Sequence, residues 1–340
     1  MPLLLSILLL VSALRPCSPS LLSSPIPQPL FVPPVKFFLR TINSLMVSEL
    51  APHDSSGRFV RDYSAASFIA PPLPTLDPAH SYHLYLGNPC PWCHRISLAL
   101  PFLSLPASVT VTMLGDDAAK ATKGGWVVPG EEPLCGAQDL YGVYMNATDN
   151  SYSGRFTAPL LLDLTTSTLV SNESNDILSL LGTLSASPLV MPEGMEERAR
   201  EENEYYYTHL QNGAYRCGFA LSQVAYDEAA ADVLAGLARL EATLADSPFV
   251  LGEEFTEVDL KLFPWACRHD GAYSKLFKAP GSLAEYPSIK RWARRVASLP
   301  GVEGSIDVGD AVGSYYRSLF MLNPSGIVPK VETDLTKLFA

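Results

Sequence analysis

The stretch LYLGNPCPWCHRISLALP, residues 84–101, decides the fold. It opens on apolar and aromatic residues of strand character, breaks at Gly87-Asn88-Pro89, and runs on with helical character. Between the two halves, Cys90 to Arg95 spell C-P-W-C-H-R. Three chemistries use this spacing. C-x-x-C-H attaches haem, C-x-x-C supplies half of a zinc site, and C-P-x-C at a helix start makes a redox thiol pair.

Context separates them. Covalent haem takes its axial ligand from the His of the motif, normally in a short chain wrapped around the ring. Here the motif follows a strand, and nothing else in the chain calls for haem. Zinc wants four ligands; no second C-x-x-C exists, and His80 and His83 sit in or beside the preceding strand, where a lone His is ordinarily a cap or surface residue. The thiol reading fits. Pro91 takes the first helical position, where a missing N–H costs nothing. Free N–H groups and the helix dipole then stabilise a thiolate on Cys90, and Arg95 adds positive potential. Cys93, one turn further, is expected to be more buried and less ionised.

Downstream segments agree with a thioredoxin-like arrangement. Residues 155–163, RFTAPLLLD, place Thr-Ala-Pro directly before a strand. A cis proline there faces the reactive cysteine, and the residue before it offers backbone N–H and C=O to a bound glutathione, like one rung of a sheet. Asn172-Glu173-Ser174 open the next helix, with Ser171 or Asn172 as its cap. A helix start suits the γ-glutamyl carboxylate of glutathione, and Glu173 its ammonium group.

Farther out, YHLYLG, SVTVTML and APLLLDLTTSTLVS read as strands, and CHRISLALPFLSL and NESNDILSLLGTL as helices. This alternation predicts a small mixed sheet with helices on its faces over 51–185. A proline-bounded linker, Pro188 to Pro192, follows, and 195–330 reads as all-helical. YDEAAADVLAGLARLEATLAD puts Val233, Leu237, Leu240 and Leu244 on one face, with acids in the first turn. Thr256-x-x-Asp259 forms a capping box with a short acid in place of Glu. The fold class is therefore α/β plus all-α: a thioredoxin-like domain followed by a helical one.

Residues 1–50 are set apart as a targeting or disordered extension. No acid precedes Glu49, residues 3–14 are apolar and uncharged, and a Ser- and Pro-rich stretch with Arg15, Lys36 and Arg40 follows. Twelve residues are too few to span a bilayer, and the pattern suits an organelle presequence. A net charge of −11 over 340 residues argues against nucleic acid or anionic membrane as a partner. Arg291, Arg294 and Arg295 read as the solvated face of a helix. Six scattered cysteines do not make a disulfide scaffold.

The sequence as a whole resembles the glutathione transferases of the xi class, the glutathionyl-hydroquinone reductases, from about Gly57 to Lys330. CPWCHR, GGWVV, DLYGVYMNATDNSYSGRFTAPLLLD, NES, NGAYRCGFA, DGAYSKLFK, YPSIKRWARRVASLPGV and NPSGIVP carry the resemblance in that order. It implies an enzyme that uses glutathione as co-substrate, without metal or haem, to release hydroquinones from glutathionyl-hydroquinones in detoxification. It also implies a helical glutathione-transferase C-terminal domain and a homodimer. Cys90 matches the nucleophile. Trp126, Arg155, Phe156, Thr157, Ala158, Glu173 and Ser174 match the glutathione-binding set. Tyr215 matches the proton donor and acceptor, and Tyr273 and Tyr315 match tyrosines that lower the pKa of the nucleophile. Residues Tyr205 to Tyr207 are candidates to wall the hydroquinone. Glutathione chemistry wants a reducing compartment, which favours plastid, mitochondrion or cytosol.

Three positions depart from the family pattern. Cys93 stands where relatives carry Ala, so a general thiol transferase using the Cys90/Cys93 pair is the alternative activity. Ser314 replaces a His before the tyrosine pair. Ala158 replaces Val at a contact made mainly by backbone.

Overall fold

A computed structural model describes residues 28–61, 73, 75–187 and 191–340. The chain divides into two compact units, Met1–Leu50 and Ala51–Ala340. In the first, α1 (Gln28–Leu50) is a helix with Pro33 and Pro34 inside it. The sequence reading expected targeting or disorder here. From Val35 to Leu50 the stretch has neither Gly nor Pro, so nothing local interrupts helical hydrogen bonding. Residues 1–27, which hold the apolar run, lie outside the described residues. Among those described, no helix is long and apolar enough to cross a membrane.

The second unit begins with a five-stranded sheet. Its strands are β1 (Tyr82–Gly87), β2 (Val109–Asp116), β3 (Trp126–Val127), β4 (Leu160–Asp163) and β5 (Thr168–Ser171). The order is β3-β2-β1-β4-β5. β1 and β2 run parallel with Leu84 opposite Val111, and β4 is antiparallel to β1 with Leu161 opposite Leu84. Central β1 and β4 are buried along their whole length, His83 and Asp163 included.

Helix α2 (Pro91–Ala99) makes the parallel crossover from β1 to β2. It stops earlier than expected, because Pro101 follows Leu100 and Pro disfavours helix at the residue before it. Helix α3 (Leu140–Ala147) precedes β4, and α4 (Ser174–Leu184) follows β5. The α4 cap is Glu173 rather than Ser171 or Asn172; the Ser171 hydroxyl instead accepts the Glu173 N–H at 3.1 Å. Of the expected linker, 188–190 lie outside the described residues.

Helices then follow as α5 (Glu196–Tyr206), α6 (Asn212–Gly218), α7 (Gln223–Thr243), α8 (Glu257–Arg268), α9 (Pro287–Ala297), α10 (Val308–Ser318) and the short α11 (Leu335–Leu338). π-helical turns run at Tyr207–Gln211, just before α6, and at His269–Tyr273, just after α8. Helix α7 buries Val233, Leu237 and Leu240, and Leu244 beyond its end is buried too. Its cap is Ser222, so the acids fall in its second turn, not its first.

The Thr256 capping box at α8 forms as read. Buried Asp259 does more than cap: its carboxylate also accepts from the Val250 N–H at 2.9 Å and from Trp292 Nε1 at 2.8 Å. The helical part extends beyond 330. Phe339 is buried against Phe263, and Arg294 donates to the Phe339 carbonyl at 2.6 Å.

Candidate active site

Cys90 caps α2. Its φ of −73° and ψ of 120° are extended, and its sulfur accepts the Cys93 N–H at 3.4 Å. Pro91 occupies the first turn, as expected. Cys90 is half-buried, whereas Cys93 is 1% exposed. Burial by itself would push the Cys90 thiol up. Against that, the Cys93 thiol, the N–H groups of Cys93 and Trp92 and the charge of Arg268 bring it down to about 7. Burial and the neighbouring Cys90 charge hold the Cys93 thiol well above the usual range. The two thiols are therefore pushed apart, Cys90 down and Cys93 up, as the sequence led one to expect.

Across from Cys90, the Ala158–Pro159 peptide is cis. The Cys90 sulfur lies 3.5 Å from the Ala158 carbonyl oxygen. The segment around it is held from behind. The Tyr144 hydroxyl donates to the Thr157 carbonyl at 2.8 Å, and Asn172 donates to both Tyr144 and Thr157. Phe156 packs edge-on against Tyr141, Tyr144 and Tyr152, while the Arg155 side chain is exposed.

Trp126 lies against the end of β1. A Cβ on Gly87 would come within 2.3 Å of its ring, so only glycine fits there. Gly124, at φ +79°, lets its backbone approach Phe156 in the same way. This explains why the Gly-Gly-Trp sequence and the Thr-Ala-Pro segment occur together. Glu173 sits half-buried at the α4 start. Burial raises its carboxyl pKa, Arg61 and Arg95 lower it, and Asp176 raises it; the net shift is upward. Buried Ser174 accepts from Arg95 Nη1 at 3.2 Å.

The tyrosines converge from three elements. The Tyr215 hydroxyl, from α6, lies 2.7 Å from that of Tyr315 on α10, and Tyr273 is 3.1 Å from Tyr315. Burial raises all three above the ordinary phenol range. The Tyr315 hydrogen bond and the Arg61 charge moderate the rise at Tyr215. Among the described residues, the hydrogen bonds of Tyr273 and Tyr315 reach each other and Tyr215 rather than the Cys90 sulfur. This brings Tyr273 and Tyr315, which the resemblance implied as tuners of the nucleophile, together with Tyr215.

Of the three candidate wall tyrosines, only Tyr207 stands with the site, 5.7 Å from the Trp92 ring. Tyr206 is fully buried, and Tyr205 stacks on His209. Ser314 turns to Asp116 of β2, which also accepts from Ser318 at 2.6 Å.

Two arginines were not picked out in the sequence as site residues. Arg61 reaches Trp92 and Tyr215 with its guanidinium 4.7 Å and 5.4 Å from their ring centroids. Arg268 ends α8 and lies behind the Cys90 turn. Nothing in the local sequence marks either one, because each reaches the site from a distant segment. His94, which a haem would need, is 2% exposed and has partners at both ring nitrogens, Arg268 and Ser305. Among the described residues, no three His, Cys, Asp or Glu side chains gather where they could hold a metal ion.

Comparison with known proteins places this geometry. The family described as glutathione S-transferase, C-terminal domain, matches residues 223–295. The glutathionyl-hydroquinone reductase PcpF of Sphingobium chlorophenolicum is 34% identical over 81% of this chain and 90% of its own. The glutathione-bound structure of YqjG, a glutathione transferase homologue from Escherichia coli K-12, superposes with a TM-score of 0.70 at 30% identity. That match covers 77% of this chain and 88% of its own. The xi glutathione transferase of Phanerochaete chrysosporium gives a TM-score of 0.73 at 28% identity, over 83% and 95% of the two chains.

Proposed function

The chain belongs to the xi class of glutathione transferases, the glutathionyl-hydroquinone reductases, and on that premise we propose that it reduces glutathionyl-hydroquinones through a mixed disulfide on Cys90. The observation that carries the reading is the helix-capping Cys90 sulfur, with a pKa of about 7, facing the cis Ala158–Pro159 segment. Glutathione lies against that segment, its γ-glutamyl end at the start of α4 near Glu173 and Ser174, with Trp126, Arg155, Phe156 and Thr157 flanking it. The aromatic ring lies toward Trp92, Tyr207 and Tyr215.

The Cys90 thiolate attacks the glutathionyl sulfur. The S–S bond forms as the bond from sulfur to the ring carbon breaks, and the electron pair of that bond goes to the ring. Tyr215 delivers a proton to the ring carbon, and free hydroquinone leaves. A second glutathione thiolate then attacks the glutathionyl sulfur on Cys90, restoring the Cys90 thiolate and releasing glutathione disulfide. The ring carbon has gained two electrons, one from each of the two glutathionyl sulfurs that end as a disulfide, and the proton lost by the second glutathione as it ionises restores the Tyr215 phenol.

A general thiol transferase is the second reading, favoured by Cys93 one turn from Cys90. The burial of Cys93 and its raised pKa oppose it as an attacking thiolate. The test is a steady-state assay of the full chain on a glutathionyl-menadiol conjugate and on a glutathionylated peptide. Turnover of the conjugate, abolished in Cys90→Ser and retained in Cys93→Ala, is expected. Efficient peptide deglutathionylation with no turnover of the conjugate would overturn the reading.

A further inference from the structure

Arg268 is fully buried, 0% exposed, at the last turn of α8. A buried guanidinium ordinarily sits against a carboxylate, because an uncompensated interior charge is costly. Here, among the described residues, no carboxylate is in ion-pair contact with Arg268. Its hydrogen bonds all go to neutral acceptors. Nη2 donates to the Asn88 carbonyl at 2.8 Å and Nε to the Pro89 carbonyl at 3.1 Å. Nη1 donates to the Pro264 carbonyl and to His94 Nδ1, both at 3.0 Å. Since arginine only donates, His94 Nδ1 must accept, and its Nε2–H is left to donate to Ser305 Oγ at 3.0 Å. That fixes His94 as neutral, in keeping with a pKa that burial and Arg268 hold well below the usual imidazole range.

Two of these acceptors are the carbonyls of the two residues immediately before the nucleophile. The fork of one guanidinium thus sets the peptide planes that aim Cys90. Asn88 is tied from its other side, where its amide donates to the Asp307 carbonyl and to Asp310, both at 2.9 Å. The groups that sense or face the Cys90 sulfur are Cys93 and Arg95 on α2, Tyr215 on α6 and Arg268 on α8. Arg95 has the polar partners Ser174, Asn175 and Gln211. Cys93 and Tyr215 are neutral near pH 7. Among the described residues, Arg95 and Arg268 are both buried cations with no carboxylate in ion-pair contact, and of the two it is Arg268 that also holds the carbonyls of the nucleophile turn.

We propose that Arg268 is a positioning residue for the reaction: it locks the Asn88–Cys90 turn through two carbonyls, and the Cys90 thiolate is its counter-charge. This deepens the reading of Cys90 as nucleophile, but the thiol titration that tests it needs neither glutathione nor a quinone, so the two can fail separately. In the full chain, the Cys90 titration is followed by thiolate absorbance and by the pH dependence of iodoacetamide alkylation at Cys90, resolved by peptide mass. Arg268→Met is expected to raise the midpoint from about 7 part of the way toward the free-thiol value of about 8.5, cutting alkylation at pH 7 by about two- to fivefold. A midpoint unchanged in a folded Arg268→Met chain would overturn the proposal.

Arg268→Lys keeps the charge and folds where the Met variant fails. Its ammonium cannot span both carbonyls, so the midpoint stays low while turnover falls at least tenfold. A Lys variant with wild-type turnover, or with a midpoint near the free-thiol value, would contradict the paired role.

Discussion

At the residue scale the site sets two ionisations apart. Cys90 is brought to about 7 by hydrogen bonds and by Arg268, whereas Tyr215 is pushed up by burial and kept protonated. A thiolate beside a phenol that still holds its proton is the arrangement reductive cleavage requires. Because the Cys90 shift is downward, activity limited by its ionisation rises with pH through about 7 and then levels off. The Tyr215 limb lies above that range, since its shift is upward. Tyr215→Phe removes the proton source and the 2.7 Å bond to Tyr315 but no partner of Cys90. It is expected to lower turnover of the hydroquinone conjugate by about 10²–10⁴ while leaving alkylation of Cys90 by iodoacetamide within twofold. A parallel fall in both rates would show that the phenol acts through the thiol instead.

At the scale of elements, the parts that were legible in the sequence are those whose physics is local. The strand–turn–Cys–Pro start of α2, the Thr-Ala-Pro bend before β4 and the Thr256-x-x-Asp259 box each depend on neighbouring residues, and each forms where the residues place it. Boundaries read less well for equally local reasons. Helix α2 ends at Ala99, ahead of Pro101, α4 takes Glu173 as its cap in place of Ser171 or Asn172, and α7, capped by Ser222, begins before Tyr226. What was not legible joins elements far apart in the chain. Arg268 meets Pro89 across 179 positions, and Tyr215 meets Tyr315 across 100; no periodicity or spacing encodes such a meeting. Asp259 belongs to both classes, since its cap is local but its bond to Trp292 is not. Asp259→Ala leaves several buried donors without an acceptor and is expected to cost about 2–4 kcal/mol in a denaturant titration. A cost under about 1 kcal/mol would mean that the carboxylate acts as an ordinary exposed cap.

At the scale of the molecule, residues 51–340 form one unit, and polar side chains cross between its sheet part and its helical part. Arg95 joins α2 to Gln211, Asn88 joins the nucleophile turn to the start of α10, and Asp116 takes the hydroxyls of Ser314 and Ser318. The exposed Arg58–Glu228 pair adds little, since solvent and salt screen it. Linkage carries the Cys90 shift to the whole fold. A depressed folded-state pKa contributes stability that is present above the unfolded value of about 8.5 and lost as pH falls through about 7. The stability lead of the wild-type chain over Cys90→Ser is therefore expected to shrink between pH 8.5 and pH 6, measured by denaturant midpoints. A lead independent of pH would contradict the shift. The central claim, a glutathione mixed disulfide on Cys90, is tested most directly by a single turnover. The full Cys93→Ala chain is mixed with one equivalent of glutathionyl-menadiol without free glutathione, quenched in acid and mapped by peptide mass. The account predicts one glutathione on the peptide containing Cys90 and one equivalent of released hydroquinone. Hydroquinone released with no glutathione on Cys90 would contradict it.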